Sequence, residues 1–154
     1  MTEIRAGVVE VLLLSKVGAE MQVLLMRRAA GTRCTGAWET VHGRIEGTER
    51  PEEAAVREVL EETGLEIRRL YNVHCLPFYL HRDAVIQLAV VFAAFVDPGS
   101  LPQLGPEHDS AEWLGVDAAL ERFAWPRSRQ ALRDAVSILA TGDAGSLEDV
   151  LRVI

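Results

Sequence analysis

The sequence has few cysteines and no long apolar segment. Its two cysteines, Cys34 and Cys75, are far apart and have no CxxC spacing, which is typical of a reduced intracellular protein. The longest uninterrupted apolar run, residues 88–96, is too short to span a bilayer. The first residues also lack the basic and long hydrophobic regions of a secretory leader. We therefore expect a cytoplasmic protein with no membrane partner.

An excess of basic charge is also missing. The formal net charge is −7, and this argues against binding of long nucleic acids, which normally requires a basic surface. A small polyanionic substrate remains compatible with the sequence if metal ions neutralise an acidic pocket. The length of 154 residues and the hydrophobic content of 49% are typical of one globular domain that covers residues 1–154.

Short strand patterns and helical patterns alternate along the chain. The strands are predicted at 6–15, 21–27, 38–41, 66–74, 76–81, 85–96 and 112–116. The helices are predicted at 51–63, 117–123, 128–139 and 146–153. The strongly apolar segment 85–96 is typical of a central strand that is covered on both faces. The order predicts an α/β protein with a mixed sheet between helical layers.

Three carboxylates lie close together on the helix that begins at Pro51 and ends before Gly64. Glu58, Glu61 and Glu62 have i, i+3 and i+4 spacing, which places them on one helix face. Like charges so placed repel by about 0.2–0.5 kcal/mol per pair. A solvated acidic surface is the simpler explanation, and a bound cation is the alternative. With no Cys or His beside them, the carboxylates favour Mg²⁺ or Mn²⁺.

The periodicity of this helix also predicts its orientation. A step of about 100° per residue separates the acidic face from an apolar stripe that we expect to be buried. Arg57 lies one turn before Glu61 and is predicted to hydrogen-bond it. The stripe contains Ala55, Val56, Val59, Leu60 and Thr63, whereas Ala54 lies on the face of the carboxylates.

The residues around the helix extend the pattern to a longer motif. The segment 43–65 matches G-x5-E-x7-R-E-U-x-E-E-x-G-U, where U is a bulky aliphatic residue, at every fixed position. This motif resembles the Nudix box, the signature of the Nudix hydrolases. The resemblance implies an α/β/α sandwich with a mixed β-sheet and metal-dependent hydrolysis of a diphosphate linkage. The matching positions are Gly43, Glu49, Arg57, Glu58, Val59, Glu61, Glu62, Gly64 and Leu65.

The resemblance also implies a set of metal ligands. Glu58 and Glu62 are the first candidates, Glu61 is a ligand or holds a metal-bound water, and the backbone carbonyl of His42 is the expected main-chain ligand. Glu49 either supports the loop before the helix or contacts metal. The chain departs from the family because His42 replaces the first of two glycines and Gly47-Thr48 replaces Pro-Gly. These replacements leave the backbone ligand in place.

Further segments resemble the bacterial dihydroneopterin-triphosphate pyrophosphohydrolases, which are also described as dATP pyrophosphohydrolases. These segments are 38–43 (WETVHG), Glu107-His108 with the following Trp113-Leu114, and Trp125 with 128–131 (SRQA). By this resemblance Glu107 is an additional metal ligand or general base, and we expect it to act with Glu61 and Arg57 in catalysis. Asp109 and Glu112 compete for the role, and a solvated loop acid is the alternative.

Four other residues are candidates for substrate contacts. Arg28 and Arg33 lie near the end of the second strand and are suited to bind phosphate, with ordinary surface charge as the alternative. The rings of Trp38 and Phe78 are suited to stack on a base or pterin, and core packing is the alternative, favoured for Trp38.

These residues predict hydrolysis of a nucleoside-triphosphate-like substrate, either dihydroneopterin triphosphate or a (d)NTP, to a monophosphate and pyrophosphate. A Nudix hydrolase of dinucleoside polyphosphates or nucleotide sugars is one alternative. The other is a non-catalytic nucleotide-binding regulator on the same scaffold. The small-molecule substrate is the expected partner, and the protein is expected to be a monomer or a homodimer.

Overall fold

The strands of the protein form one mixed sheet of seven strands. The computed structural model describes all residues, 1–154. The strands are β1 (Glu3–Val17), β2 (Glu20–Arg28), β3 (Trp38–Glu39), β4 (Val41–Arg44), β5 (Arg69–Leu80), β6 (Val85–Phe95) and β7 (His108–Gly115). The helices are α1 (Pro51–Thr63), α2 (Val116–Arg122), α3 (Pro126–Leu139) and α4 (Glu148–Leu151), with a 3₁₀ turn at Gly145–Leu147. The predicted α/β class is confirmed.

The sheet divides into two branches near its middle. Its main order is β3-β2-β1-β6-β5, in which β1 and β6 are parallel and the other pairs are antiparallel. Direct pairing of β1 with β2 is confined to residues 14–17 and 20–23. Closer to its beginning, β1 pairs instead with β4 through residues 8–11. Closer to its end, β2 pairs instead with β3 through residues 26–27. One branch thus contains β1 and β4, and the other contains β2 and β3. A gap opens between them, beside the motif of residues 43–65.

Both faces of the sheet are covered by helices. Along β1 the side chains alternate: Val9, Val11 and Leu13 belong to a core cluster with Ala54, Ala55 and Val59 of α1, whereas Leu12 and Leu14 belong to a cluster with residues of α2 and α3. Each fully buried leucine of these clusters stabilises the fold by about 1.5–3 kcal/mol. The predicted α/β/α sandwich is thus confirmed, and the apolar run of β6 is central, between β1 and β5.

Four elements differ from the expectation. The strand predicted at 38–41 is two short strands, because β3 pairs with β2 whereas β4 pairs with β1. The two strands predicted at 66–74 and 76–81 are one strand, β5, which begins at Arg69, because Cys75 continues the pairing with β6; a bulge lies earlier, between Asn72 and His74. Strand β7 begins at His108, earlier than predicted, because it pairs with the long β2. The predicted last helix is only one turn, α4, and its next residue, Arg152, forms an isolated bridge with Tyr71.

The orientation predicted for α1 is partly wrong. Val56 and Leu60 are 39% and 56% exposed, whereas Ala54 and Glu62 are buried. The helix contacts the sheet through the small side chains of Ala54 and Ala55 and through Val59, which turns Glu62 inward. No helix of the structure is long and apolar enough to cross a membrane.

Candidate active site

Helix α1 is fixed at both ends, and this sets the positions of its carboxylates. At its start the Arg50 backbone N–H donates to Glu53 Oε2 at 2.8 Å, as in a capping box, and Pro51 occupies the first turn. At its end Gly64 has a φ of 66°, a left-handed conformation that glycine adopts without strain, and its N–H donates to the Leu60 carbonyl. Glu58, Glu61 and Glu62 therefore lie in the second half of a well-defined helix.

The loop between β6 and β7 brings a fourth carboxylate, that of Glu107, to this helix. The loop is attached to the end of α1 because the Gln103 N–H donates to the Thr63 carbonyl at 2.7 Å and the Gly105 N–H to the Glu62 carbonyl at 3.3 Å. Between loop and helix lies a pocket of about 180 Å³, which we call the acidic pocket. It is lined by Glu58, Glu61, Glu62, Gly105, Pro106, Glu107 and His108.

The two competing acids, Asp109 and Glu112, lie on β7 rather than on the loop, and both have other partners. Asp109 accepts a hydrogen bond from Arg27 Nε at 2.8 Å, and Glu112 lies 3.3 Å from Arg122. Neither lines the acidic pocket, whereas Glu107 does. Among these three acids, Glu107 is thus the one that faces the carboxylates of α1.

Glu62 is the carboxylate of the acidic pocket that is buried with an unpartnered oxygen. Its side chain is buried, and Oε2 has no hydrogen-bond partner. Burial, followed by the charges of Glu107, Glu58 and Glu39, raises the pKa of Glu62 to about 9. Burial also raises the pKa of Glu58, although Arg57 opposes the shift. Glu62 thus retains a proton near neutral pH unless a cation compensates its charge.

The acidic pocket fits a hard divalent cation by its chemistry. The carboxylates supply only oxygen donors, which Mg²⁺ and Mn²⁺ prefer, and the buried Glu62 Oε2 has no protein donor to bind. No three His, Cys, Asp or Glu side chains converge closely enough to enclose an ion. Binding of a cation would therefore require small movements of these side chains.

Arg57 organises the loop before α1 more than it holds Glu61. Its guanidinium donates to both carboxylate oxygens of Glu49, at 2.8 and 2.9 Å, to Glu58 at 2.7 Å and to the Arg44 carbonyl at 2.9 Å. The predicted contact with Glu61 is present but longer, at 3.4 Å. These bonds raise the pKa of Arg57 and, together with the Glu46 N–H, lower the pKa of Glu49 to about 2. Glu49 therefore supports the loop.

Gly43 and His42 face opposite sides of β4. A Cβ atom at Gly43 would overlap the Glu58 side chain, so glycine allows the carboxylate to lie against the backbone. The imidazole of His42 lies near Glu39 and Glu10, with closest distances of 3.7 and 3.8 Å. The replacement of a glycine by His42 thus leaves the carboxylate side of the strand unobstructed.

A second cavity, of about 250 Å³, lies beside the gap in the sheet, and we call it the polar cavity. Its lining includes the predicted Arg33 and Arg28; the Arg28 guanidinium lies 3.1 Å from Glu39 and 3.9 Å from Glu107. His108, which lines the acidic pocket, also lies 3.0 Å from Glu39. The two sites are therefore adjacent. The lining residues are Val8, Arg28, Arg33, Cys34, Glu39, His42, Trp125 and Arg127.

Glu39 is a buried carboxylate whose surroundings are the opposite of those of Glu62. Burial opposes its ionisation, but bonds with His108, Arg28 and the Trp125 indole N–H, with the charge of His42, lower the pKa of Glu39 to about 2. Glu39 therefore stays ionised and holds three neighbouring side chains in place. The sequence did not reveal this role, because His108 and Trp125 are distant along the chain.

The far wall of the polar cavity is formed by Arg127 and its contacts. Its guanidinium carbon lies 4.4 Å from the centre of the Phe78 ring and 5.1 Å from that of Trp125. Its Nε lies 3.4 Å from the fully buried Glu10, which also accepts a bond from the Ser128 hydroxyl at 2.5 Å. The one sequence feature that indicates these buried polar contacts is Glu10 itself, a glutamate within the apolar run of β1.

The two aromatic candidates occupy different environments. Phe78 contacts Arg127 beside the polar cavity, although it is not part of the lining. Trp38 packs against the core cluster below α2 and α3 and lies 4.9 Å from the Arg122 guanidinium. The position of Trp38 agrees with core packing, and Trp125 provides the aromatic surface of the cavity instead.

Most of the chain matches one family of known proteins. The family model described as NUDIX domain matches residues 5–135. An octanoyltransferase of Myxococcus xanthus is 37% identical over 122 residues, which cover 78% of this chain and 34% of that protein. Nudix hydrolase 1 of Caenorhabditis elegans is 44% identical over 147 residues, covering 91% of this chain and 38% of that protein. The chain thus spans about a third of the length of these curated relatives.

A solved structure extends the likeness to the fold. The dihydroneopterin triphosphate pyrophosphohydrolase of E. coli has a TM-score of 0.71 and 22% identity, with 86% of this chain and 96% of that chain covered. At this level of identity the likeness concerns the fold alone.

The surroundings of Glu62 predict that its charge destabilises the metal-free protein. Between its ordinary pKa of 4.5 and about 9, the unfolded state releases a proton that the folded state retains, so the stability falls as the pH rises. We expect Glu62→Gln to raise the melting temperature in a chelator, with a gain that grows from pH 5 to pH 8. Thermal denaturation of both proteins measures this.

The exposed Glu66, just beyond α1, provides the control variant Glu66→Gln. A gain of the same size in Glu66→Gln, or no gain in Glu62→Gln at pH 8, would contradict the interpretation of the acidic pocket.

Proposed function

The chain belongs to the Nudix family, and on that basis we propose that residues 1–154 act as a single catalytic domain, a metal-dependent pyrophosphohydrolase. Its substrate is a nucleoside-triphosphate-like diphosphate, and its products are a monophosphate and pyrophosphate. The observation that carries this proposal is the acidic pocket, in which the buried and unpartnered Glu62 faces Glu58 and Glu107.

The carboxylates of α1 have the role of holding the cation. Glu58 and Glu62 would be its ligands, Glu61 would be a further ligand or hold a bound water, and the His42 carbonyl would contribute from β4. When bound, Mg²⁺ or Mn²⁺ neutralises phosphate oxygens and lowers the pKa of a coordinated water. Arg57 orients Glu58 through a bond of 2.7 Å and fixes the loop through Glu49, so it is a positioning residue.

Glu107 is the proposed general base. It lines the acidic pocket opposite α1 on an exposed loop, so its carboxylate can reach a water held between loop and helix. The attacking water gives a proton to this carboxylate and its oxygen forms a bond to phosphorus, while the bridging P–O bond of the anhydride breaks and the two phosphate products separate. Arg28, which lies 3.9 Å from Glu107, is placed to bind a phosphate oxygen with its guanidinium.

The organic part of the substrate is proposed to bind in the polar cavity. Trp125 offers an aromatic surface there, and the guanidiniums of Arg28, Arg33 and Arg127 offer hydrogen-bond donors. The segments 38–43 and 107–114 support dihydroneopterin triphosphate or a (d)NTP as the substrate. A dinucleoside polyphosphate or nucleotide sugar is the alternative, favoured by the open cleft that continues from this cavity.

A hydrolysis panel tests the proposal. It contains dihydroneopterin triphosphate, the (d)NTPs, ADP-ribose and diadenosine polyphosphates, each with and without Mg²⁺, and products are identified by chromatography. We expect metal-dependent release of pyrophosphate from a triphosphate. Tight nucleotide binding without turnover on any substrate would instead indicate a non-catalytic regulator.

The proposed base predicts a specific kinetic defect. Loss of a general base typically slows a reaction by about 10²–10⁴-fold, so we expect Glu107→Gln to lower kcat within that range. Steady-state kinetics on the best substrate of the panel measures the change. Asp109→Asn is the matched control because Asp109 lies two residues beyond Glu107, at the start of β7, but pairs with Arg27. If Glu107→Gln is silent, or if Asp109→Asn is equally slow, Glu107 is not the base.

A further inference from the structure

A large open cleft continues from the polar cavity, with which it shares Arg33 and Cys34. Its volume is about 590 Å³, and we call it the basic cleft. The loop after β2, the end of β4 and the β5–β6 turn contribute its sides. The charged and polar residues of its lining are Arg33, Arg44, Tyr79, His81, Arg82 and Asp83.

The arginines of the basic cleft lack partners, which is unusual in this protein. Most arginines of the chain pair with a carboxylate or donate to a carbonyl. Four arginine side chains have no such partner, and three of them line the basic cleft, namely Arg33, Arg44 and Arg82. The fourth, Arg133, lies on α3. The only acid in the lining is Asp83.

An unpaired cluster of arginines is notable in a chain with a net charge of −7. Nearby like charges repel, and acidic residues are numerous enough to have paired with them. The planar guanidinium presents several N–H donors in a geometry that matches phosphate oxygens. These features indicate a site for an anion that arrives from outside the chain.

The basic cleft is continuous with the proposed substrate site. Arg33 and Cys34 line both the polar cavity and the basic cleft, while Glu39 connects the polar cavity with His108 of the acidic pocket. The polar cavity therefore borders both the acidic pocket and the basic cleft. A ligand that has its phosphoanhydride at the acidic pocket and its organic group in the polar cavity can extend into the basic cleft.

We propose that the basic cleft binds a second phosphate group of the substrate, attached on the far side of the organic group from the hydrolysed anhydride. This inference rests on the proposed function for the orientation of the substrate. Such a site favours nucleotides that carry an additional phosphate ester on the ribose, or that are joined to a second nucleotide, over simple triphosphates. Arg82 and Arg44 are then specificity-determining residues.

Binding of nucleotides that cannot be hydrolysed tests the inference without relying on turnover. The probes are adenosine and guanosine 5′-monophosphates, each compared with its 3′,5′-bisphosphate, in calorimetric titrations with Mg²⁺ at low ionic strength. We expect the added phosphate to tighten binding to the wild type on the order of tenfold, since three exposed arginines act together and low ionic strength leaves them weakly screened. In Arg82→Gln and Arg44→Gln this gain is expected to shrink severalfold.

Arg133→Gln is the matched control, because it removes another unpartnered arginine outside the cleft, and it should keep the full gain. The inference is overturned if the added phosphate gives no gain in affinity with either adenine or guanine nucleotides. This includes the case in which no probe binds. It is also overturned if the gain survives in both cleft variants. Hydrolysis of simple triphosphates without the gain would overturn the inference alone, whereas the gain without hydrolysis on any substrate would overturn the proposed function alone.

Discussion

The arrangement of the site depends on the electrostatic repulsion among carboxylates at the end of α1. Glu58, Glu62 and Glu107 line one small pocket, and Glu62 is buried with an unpartnered oxygen. A carboxylate in such surroundings must either keep a proton or gain a cation. The rigid ends of α1 and the loop attached to Thr63 maintain this arrangement, so the folded chain retains a group that a divalent cation satisfies.

The neighbouring Glu39 shows that burial alone does not determine ionisation. Glu39 and Glu62 are both buried, yet the pKa of Glu39 falls to about 2 whereas that of Glu62 rises to about 9. The difference arises because His108, Arg28 and Trp125 surround Glu39 with donors. One carboxylate is thereby a permanent structural anion between two cavities, and the other is available to a ligand.

Local features were predictable from the sequence, whereas long-range contacts were not. Pro51 and Gly64 define the bounds of α1, since helix ends depend on adjacent residues. The main partner of Arg57 was missed because Glu49 lies in the preceding loop. The exposure of Val56 was missed because periodicity does not reveal how far small alanines rotate a helix toward a sheet. The contact of Trp125 with Glu39, 86 residues away in the chain, has no local signal, although the segment of Trp125 was noted for its resemblance.

The most direct test of the central claim is the number of protons released when Mg²⁺ or Mn²⁺ binds. Calorimetric titrations in buffers of different ionisation enthalpy measure this number. Because the pKa of Glu62 is raised to about 9 and metal ligands bind in the deprotonated form, we expect about one proton per protein at pH 7 from this group, and its loss in Glu62→Gln. Metal binding without proton release, or with equal release in Glu62→Gln, would contradict the account.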